Sequence, residues 1–163
     1  MTKQPNSIAR PLLACACAAL LACNPAWAEE EHARGAAVPL LPLYQQECSA
    51  CHTAYPPGLL PTASWQRLMA NLPRHFGTDA SLEPAAARDI GAWLSAHAGT
   101  YRGGNTPPPG DRITQQPWFV REHREVSAAS WKLPAVKSAA NCAACHRQAD
   151  QGDFNEHSVR IPR

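Results

Sequence analysis

Cys48-Ser49-Ala50-Cys51-His52 and Cys142-Ala143-Ala144-Cys145-His146 are both C-x-x-C-H strings, and they decide how the rest of the chain is read. With 7 Cys and 7 His among 163 residues, chance supplies only about 0.01 such strings. C-x-x-C-H is the attachment signature of c-type haem. On a helical turn, residues i and i+3 project from one face, so both thiols reach the two vinyl groups of one haem. The histidine after the second cysteine then lies under the iron as its proximal ligand. A thioredoxin-type C-x-x-C calls for a βαβ context and a single copy. Zinc is a poor match as well, because two adjacent histidines after two C-x-x-C units do not follow zinc-ligand spacing. Two covalently bound c-type haems are therefore predicted. Cys48 and Cys51 hold one, Cys142 and Cys145 hold the other, and His52 and His146 ligate the irons.

Composition agrees with a cofactor-dependent core. Charged residues make up 17% and aromatics 7%, while Pro reaches 16 residues in a 17.6 kDa chain. Few bulky side chains are left to build a core from protein alone, and small domains of this kind need a staple. A net charge of +2 excludes a strongly basic nucleic-acid binder, and no nucleic-acid partner is expected. A polytopic membrane protein and a coiled coil are excluded on composition.

The first 28 residues read as a secretory signal peptide. Lys3 and Arg10 flank a polar start, an apolar run follows to Cys23, and Ala26-Trp27-Ala28 precedes Glu29-Glu30-Glu31. That is the order of a cleavable leader. The apolar run falls short of the roughly 20 residues that a membrane span needs, so no transmembrane span is expected in the mature chain. Leu20-Leu21-Ala22-Cys23 resembles a bacterial lipobox, and lipidation at Cys23 ranks behind cleavage after Ala28. Cleavage would remove Cys15, Cys17 and Cys23, leaving only the four motif cysteines. Four cysteines in an exported chain ordinarily mean two disulfides; here the spacing favours haem. The expected location is the periplasm.

Each iron has a sixth position, for which His32, His75, His97, His123, His157 and Met69 are candidates. Met69 shares an apolar stripe with Trp65, Leu68 and Leu72 in a helix predicted over residues 64–72, with Ser64 as N-cap, so packing is its expected role. His75 lies between Pro73, which ends or bends that helix, and Gly77, which permits a sharp turn. It stands 23 positions after His52, and His123 stands 23 positions before His146. His123 falls in a short helix with Pro117 at its first turn and Thr114 or Gln116 near its cap. His97 closes a helix predicted over residues 81–98, on the face of Ile90, Trp93 and Leu94. His32 belongs to the mature N-terminus, and His157, near Val159 and Ile161, is the alternative for the second haem. His75 and His123 are the selected distal ligands.

The predicted organisation is a signal peptide (1–28), an N-terminal haem domain (29–101), a Gly/Pro linker (102–110) and a C-terminal haem domain (111–163). A helix over residues 41–52 delivers the first motif and another carries the second, while no strand pattern of useful length occurs. The fold class is mainly α. Residues 29–100 carry 4 basic and 7 acidic side chains, residues 101–163 carry 9 and 6, and such a dipole can orient a partner electrostatically. Lys132 and Lys137 are the only lysines after the leader, which excludes a lysine-ringed haem edge.

The stretch from Glu47 to His52, then Tyr55-Pro56-Pro57-Gly58-Leu59-Leu60-Pro61, resembles the bacterial dihaem cytochrome c family of small periplasmic electron carriers. Trp65, Leu72-Pro73-Arg74-His75-Phe76-Gly77 and Asn141 with the second motif extend the resemblance over residues 39–163. It implies a class I cytochrome c-like N-terminal domain and a small, less regular C-terminal haem domain. It also implies bis-histidine irons, His52 with His75 and His146 with His123. The implied partners are redox proteins, a membrane cytochrome b and an oxygen-binding monohaem cytochrome c. The expected function is to carry single electrons between a membrane cytochrome donor and a soluble haem-protein acceptor, without catalysis. Two rivals are the small dihaem subunit of a periplasmic nitrate reductase and a small haem peroxidase. The peroxidase would need an open iron and usually a longer chain. A haem sensor is a third rival, but residues 29–163 leave no room for a signalling module.

Overall fold

Proline opens three of the helices of this chain, at positions where its missing N–H would have had no partner anyway. Pro42, Pro84 and Pro117 begin α1 (Pro42–Cys48), α3 (Pro84–Ala96) and α4 (Pro117–Glu122). Between them, α2 (Thr62–Met69) follows the extended Pro61. The short α5 (Ala128–Trp131) is capped by the Ser127 hydroxyl, which accepts from the Ser130 N–H. This computed structural model describes residues 38–99, 101 and 105–163. The predicted leader, the lipobox at Cys23, His32 and part of the linker lie outside the described residues. Among the described residues the fold is mainly helical, as expected, with two isolated bridges, His75 to Thr78 and His146 to Val159, and no strand.

Several helix ends differ from the predicted ones, each for a local reason. The first helix stops at Cys48 instead of reaching His52, and the N–H groups of Cys51 and His52 both turn back to the Cys48 carbonyl. The second starts two residues early. The Pro61 carbonyl accepts from the N–H groups of Ser64 and Trp65, so Ser64 is a buried interior residue and not the cap. The third starts at Pro84 because Ser81 is held in a separate turn, donating its N–H and hydroxyl to the Asp79 carboxylate at 2.9 and 2.6 Å. The second motif is a 3₁₀ turn, Cys142–Ala144, in place of a helix. Gln116 precedes α4 without capping it through its side chain. Its buried amide instead donates to the Thr106 carbonyl.

Among the described residues the core has two parts. Tyr44, Ala54, Leu60, Trp65, Ile90 and Leu94 form the first, where α2 and α3 pack together. Leu59, Trp118 and Phe119 form the second, with Tyr101 and Trp131 against them. The consecutive Leu59 and Leu60 point into different clusters, so the proline-rich stretch after the first motif ties the two together. Trp65 fixes that stretch by donating its indole N–H to the Pro57 carbonyl at 2.7 Å. Beyond the linker, Asp111 accepts a two-pronged hydrogen bond from the Arg67 guanidinium on α2, at 2.9 and 2.6 Å. Arg67 is half exposed, so this pair sets geometry more than stability.

Candidate haem sites

The first site forms where α1 ends. Cys48 is half-buried at the last turn, Cys51 is exposed, and His52 follows. The His52 Nδ1–H donates to the Thr53 carbonyl at 2.7 Å, which leaves Nε2 with its lone pair for a metal. Opposite stands His75, presented by a 3₁₀ turn (Leu72–Arg74) with Pro73 in its first turn. The chain then reverses through Phe76 (φ +52°) and Gly77 (φ +97°), a backbone region that glycine enters without strain. The two ring centres are 6.1 Å apart, with planes inclined by 22°.

The second site repeats the pattern from other elements. His146 ends its turn with its N–H on the Cys142 carbonyl at 2.8 Å. His123 caps the C-terminus of α4, and its Nδ1–H donates to the Phe119 carbonyl at 2.9 Å. Its ring also stacks on Phe119, with centres 4.0 Å apart. The His123 and His146 rings are 6.2 Å apart, with planes inclined by 64°.

These separations suit an iron between each pair. A metal bonded to a ring nitrogen at about 2 Å lies about 3 Å from that ring's centre, so two trans rings stand about 6 Å apart. One ring of each pair is also biased toward the neutral form. Burial, and secondarily the neighbouring His52, lowers the pKa of His75; burial, and secondarily His123, lowers that of His146. Neutral imidazole is the form that binds metal. The Nδ1 atoms of His75 and His146 are buried without a hydrogen-bond partner. Thus each facing pair joins one imidazole anchored on a carbonyl to one that is not. Burial pushes the Cys48 and Cys142 thiols up to about 11, so neither free thiol is a ready exchange nucleophile at neutral pH.

The other candidates among the described residues lie elsewhere. His97 caps α3, donates its Nδ1–H to the Trp93 carbonyl at 2.8 Å and packs on the Trp93 ring. His157 is exposed in the C-terminal tail, while the His146 ring has His123 and Phe154 beside it. Met69 packs into the first core, against α3 at Gly91. Met69→Leu conserves volume there and is expected to cost less than about 1.5 kcal/mol in a denaturant melt. It should leave both haem potentials unchanged, whereas a fall in one would expose Met69 as a ligand, since His/Met raises the potential.

Sequence reasoning missed the aromatic supports of the histidines. Phe119 was legible in principle, lying four residues before His123 on one helix face. Tyr55, whose ring stacks on His52 with centres 4.8 Å apart, was noted only as part of a resemblance. Trp131, whose ring centre lies 5.9 Å from that of His123, carried no local signal.

The family model for dihaem cytochrome c matches residues 44–154. A dihaem type c cytochrome from Shewanella baltica OS155, known from its X-ray structure, is 37% identical, with 77% of this chain and 95% of that chain covered at a TM-score of 0.66. DHC purified from Rhodobacter sphaeroides is 47% identical over 72% of this chain and 99% of its own, at a TM-score of 0.62. A second structure, of dihaem cytochrome c from Rhodobacter sphaeroides, is 43% identical over 72% of this chain and all (100%) of its own, at a TM-score of 0.63. No curated protein matches the chain. This chain belongs to the dihaem cytochrome c family, carries two c-type haems and serves electron transfer.

Proposed function

We propose that the chain is a periplasmic carrier of single electrons with two bis-histidine irons, His52 with His75 and His123 with His146. The observation that carries this reading is the facing of each motif histidine by one other imidazole at the same separation, 6.1 and 6.2 Å. Cys48 and Cys51 hold one haem by thioethers, and Cys142 and Cys145 the other. The haems supply the ferric/ferrous couple, which moves one electron at a time. The protein supplies the rest. Thr53 and Phe119 carbonyls orient one imidazole of each pair, aromatic rings pack against the histidines, and the four histidines would hold the two irons. A filled sixth position leaves no iron open to peroxide, which favours a carrier over a peroxidase. Bis-histidine ligation sets both potentials below those of His/Met cytochromes.

The leader-like first 28 residues support export. The resemblance on the tyrosine-proline stretch supports a membrane cytochrome b as donor and an oxygen-binding monohaem cytochrome c as acceptor. A redox titration followed by electron paramagnetic resonance tests the reading. The expected result is two low-spin ferric haems, both of low potential, in a protein whose mass is that of residues 29–163 plus two haems. A high-spin ferric signal, or turnover of peroxide by the purified protein, would overturn it.

A further inference from the structure

We infer that Tyr55 is the positioning residue that couples the two haem sites, a role resting on the assignment of His52 as an iron ligand. Its ring lies nearly parallel to the His52 imidazole, inclined by 13° with centres 4.8 Å apart. Its hydroxyl reaches the other motif, donating to the Ala140 carbonyl at 2.6 Å. Ala140 stands two residues before Cys142, in a loop that is itself fixed. The Asn141 N–H donates to the Ser138 carbonyl at 3.0 Å, and its side-chain amide to the carbonyl of buried Val136 at 3.0 Å. Tyr55 is equally constrained from behind, because the buried Tyr44 hydroxyl donates to its carbonyl at 2.8 Å. It also packs against both core clusters. One side chain thus spans 85 positions of sequence, from an iron ligand of one haem to the attachment loop of the other.

The consequence concerns electron exchange within the molecule. An electron leaves a ferrous iron and arrives at a ferric one, and no bond forms or breaks. The rate of such a transfer falls steeply with the distance between the two haems. A rigid strut between ligand and loop holds that distance, and the stacked ring holds the rotation of the His52 plane.

Two variants of the full haem-loaded protein separate the parts. Tyr55→Phe keeps the ring on His52 and removes only the tie to Ala140. It should leave both haems low-spin, raise amide hydrogen exchange around Asn141 by about tenfold, as loss of one hydrogen bond allows, and slow electron exchange between the haems severalfold. That rate is read from haem methyl resonances in a half-reduced sample. Tyr55→Leu removes the stack as well and should shift the ferric resonance g-values of one haem. Unaltered inter-haem exchange in Tyr55→Phe, or unaltered g-values of both haems in Tyr55→Leu, overturns the inference. Failure of the ligand assignment would show separately, as a carbon monoxide-binding haem in the protein before any substitution.

Discussion

His75→Ala is expected to leave one haem high-spin in the ferrous state and able to bind carbon monoxide, with the other haem still low-spin. His123→Ala should do the same to the other haem. An alanine cannot replace the imidazole that faces His52 or His146 at about 6 Å, so the sixth position opens to a small ligand. The effect is an all-or-none change of coordination at one iron, visible in the optical spectrum. The two changes should be assignable, because each pair belongs to its own C-x-x-C-H motif. His97→Ala serves as the control. That ring is occupied by the Trp93 carbonyl and the Trp93 indole at the end of α3, so both haems should stay low-spin. His157→Ala should be equally silent. A carbon monoxide site created by His157→Ala and not by His123→Ala would reassign the second haem.

Expression in cells lacking the c-type maturation machinery should yield almost no folded protein. The protein-only core is small. Its first cluster has six buried side chains and its second three. A buried aromatic side chain removes roughly 150–250 Å² from water, and a haem removes at least twice that. At about 25 cal/mol per Å², each buried haem contributes on the order of 10 kcal/mol. That is comparable to the whole stability of a typical domain, about 5–15 kcal/mol. Folding is therefore expected to be coupled to haem attachment, as it is to metal in other small metallo-domains. Far-ultraviolet circular dichroism and protease resistance of the haem-free chain measure this. A soluble, protease-resistant, helical apoprotein would show that the core stands without its cofactors.

What was legible from sequence had a local cause. Both C-x-x-C-H strings work within one turn, so their chemistry needs no knowledge of the fold. Pro117 marks the start of α4 because a proline constrains its own φ and its own missing donor. The apolar spacing of Ile90, Trp93 and Leu94 marks α3 for the same kind of reason. Local rules also misplaced some ends. Ser64 has the residue type of a cap, yet the Pro61 carbonyl takes that place and Ser64 is buried in the interior of α2. Competition between two nearby candidates is settled by packing, which a window of sequence does not contain.

Only the tertiary structure decided which groups meet at a distance. The mirrored spacing of His75 and His123 singled them out, but their facing of His52 and His146 depends on the turn at Phe76 and Gly77 and on the seat of α4 against the second core. The hydrogen bond from Tyr55 to Ala140 spans 85 positions and the Arg67–Asp111 pair spans 44. No periodicity encodes such pairs. They form because loop closure costs little more for a long loop than for a short one, so the partner is chosen by burial and geometry and not by separation along the chain. The sequence alone therefore determined the cofactor, while the folded chain determined which histidines face one another and how the two candidate sites are held together.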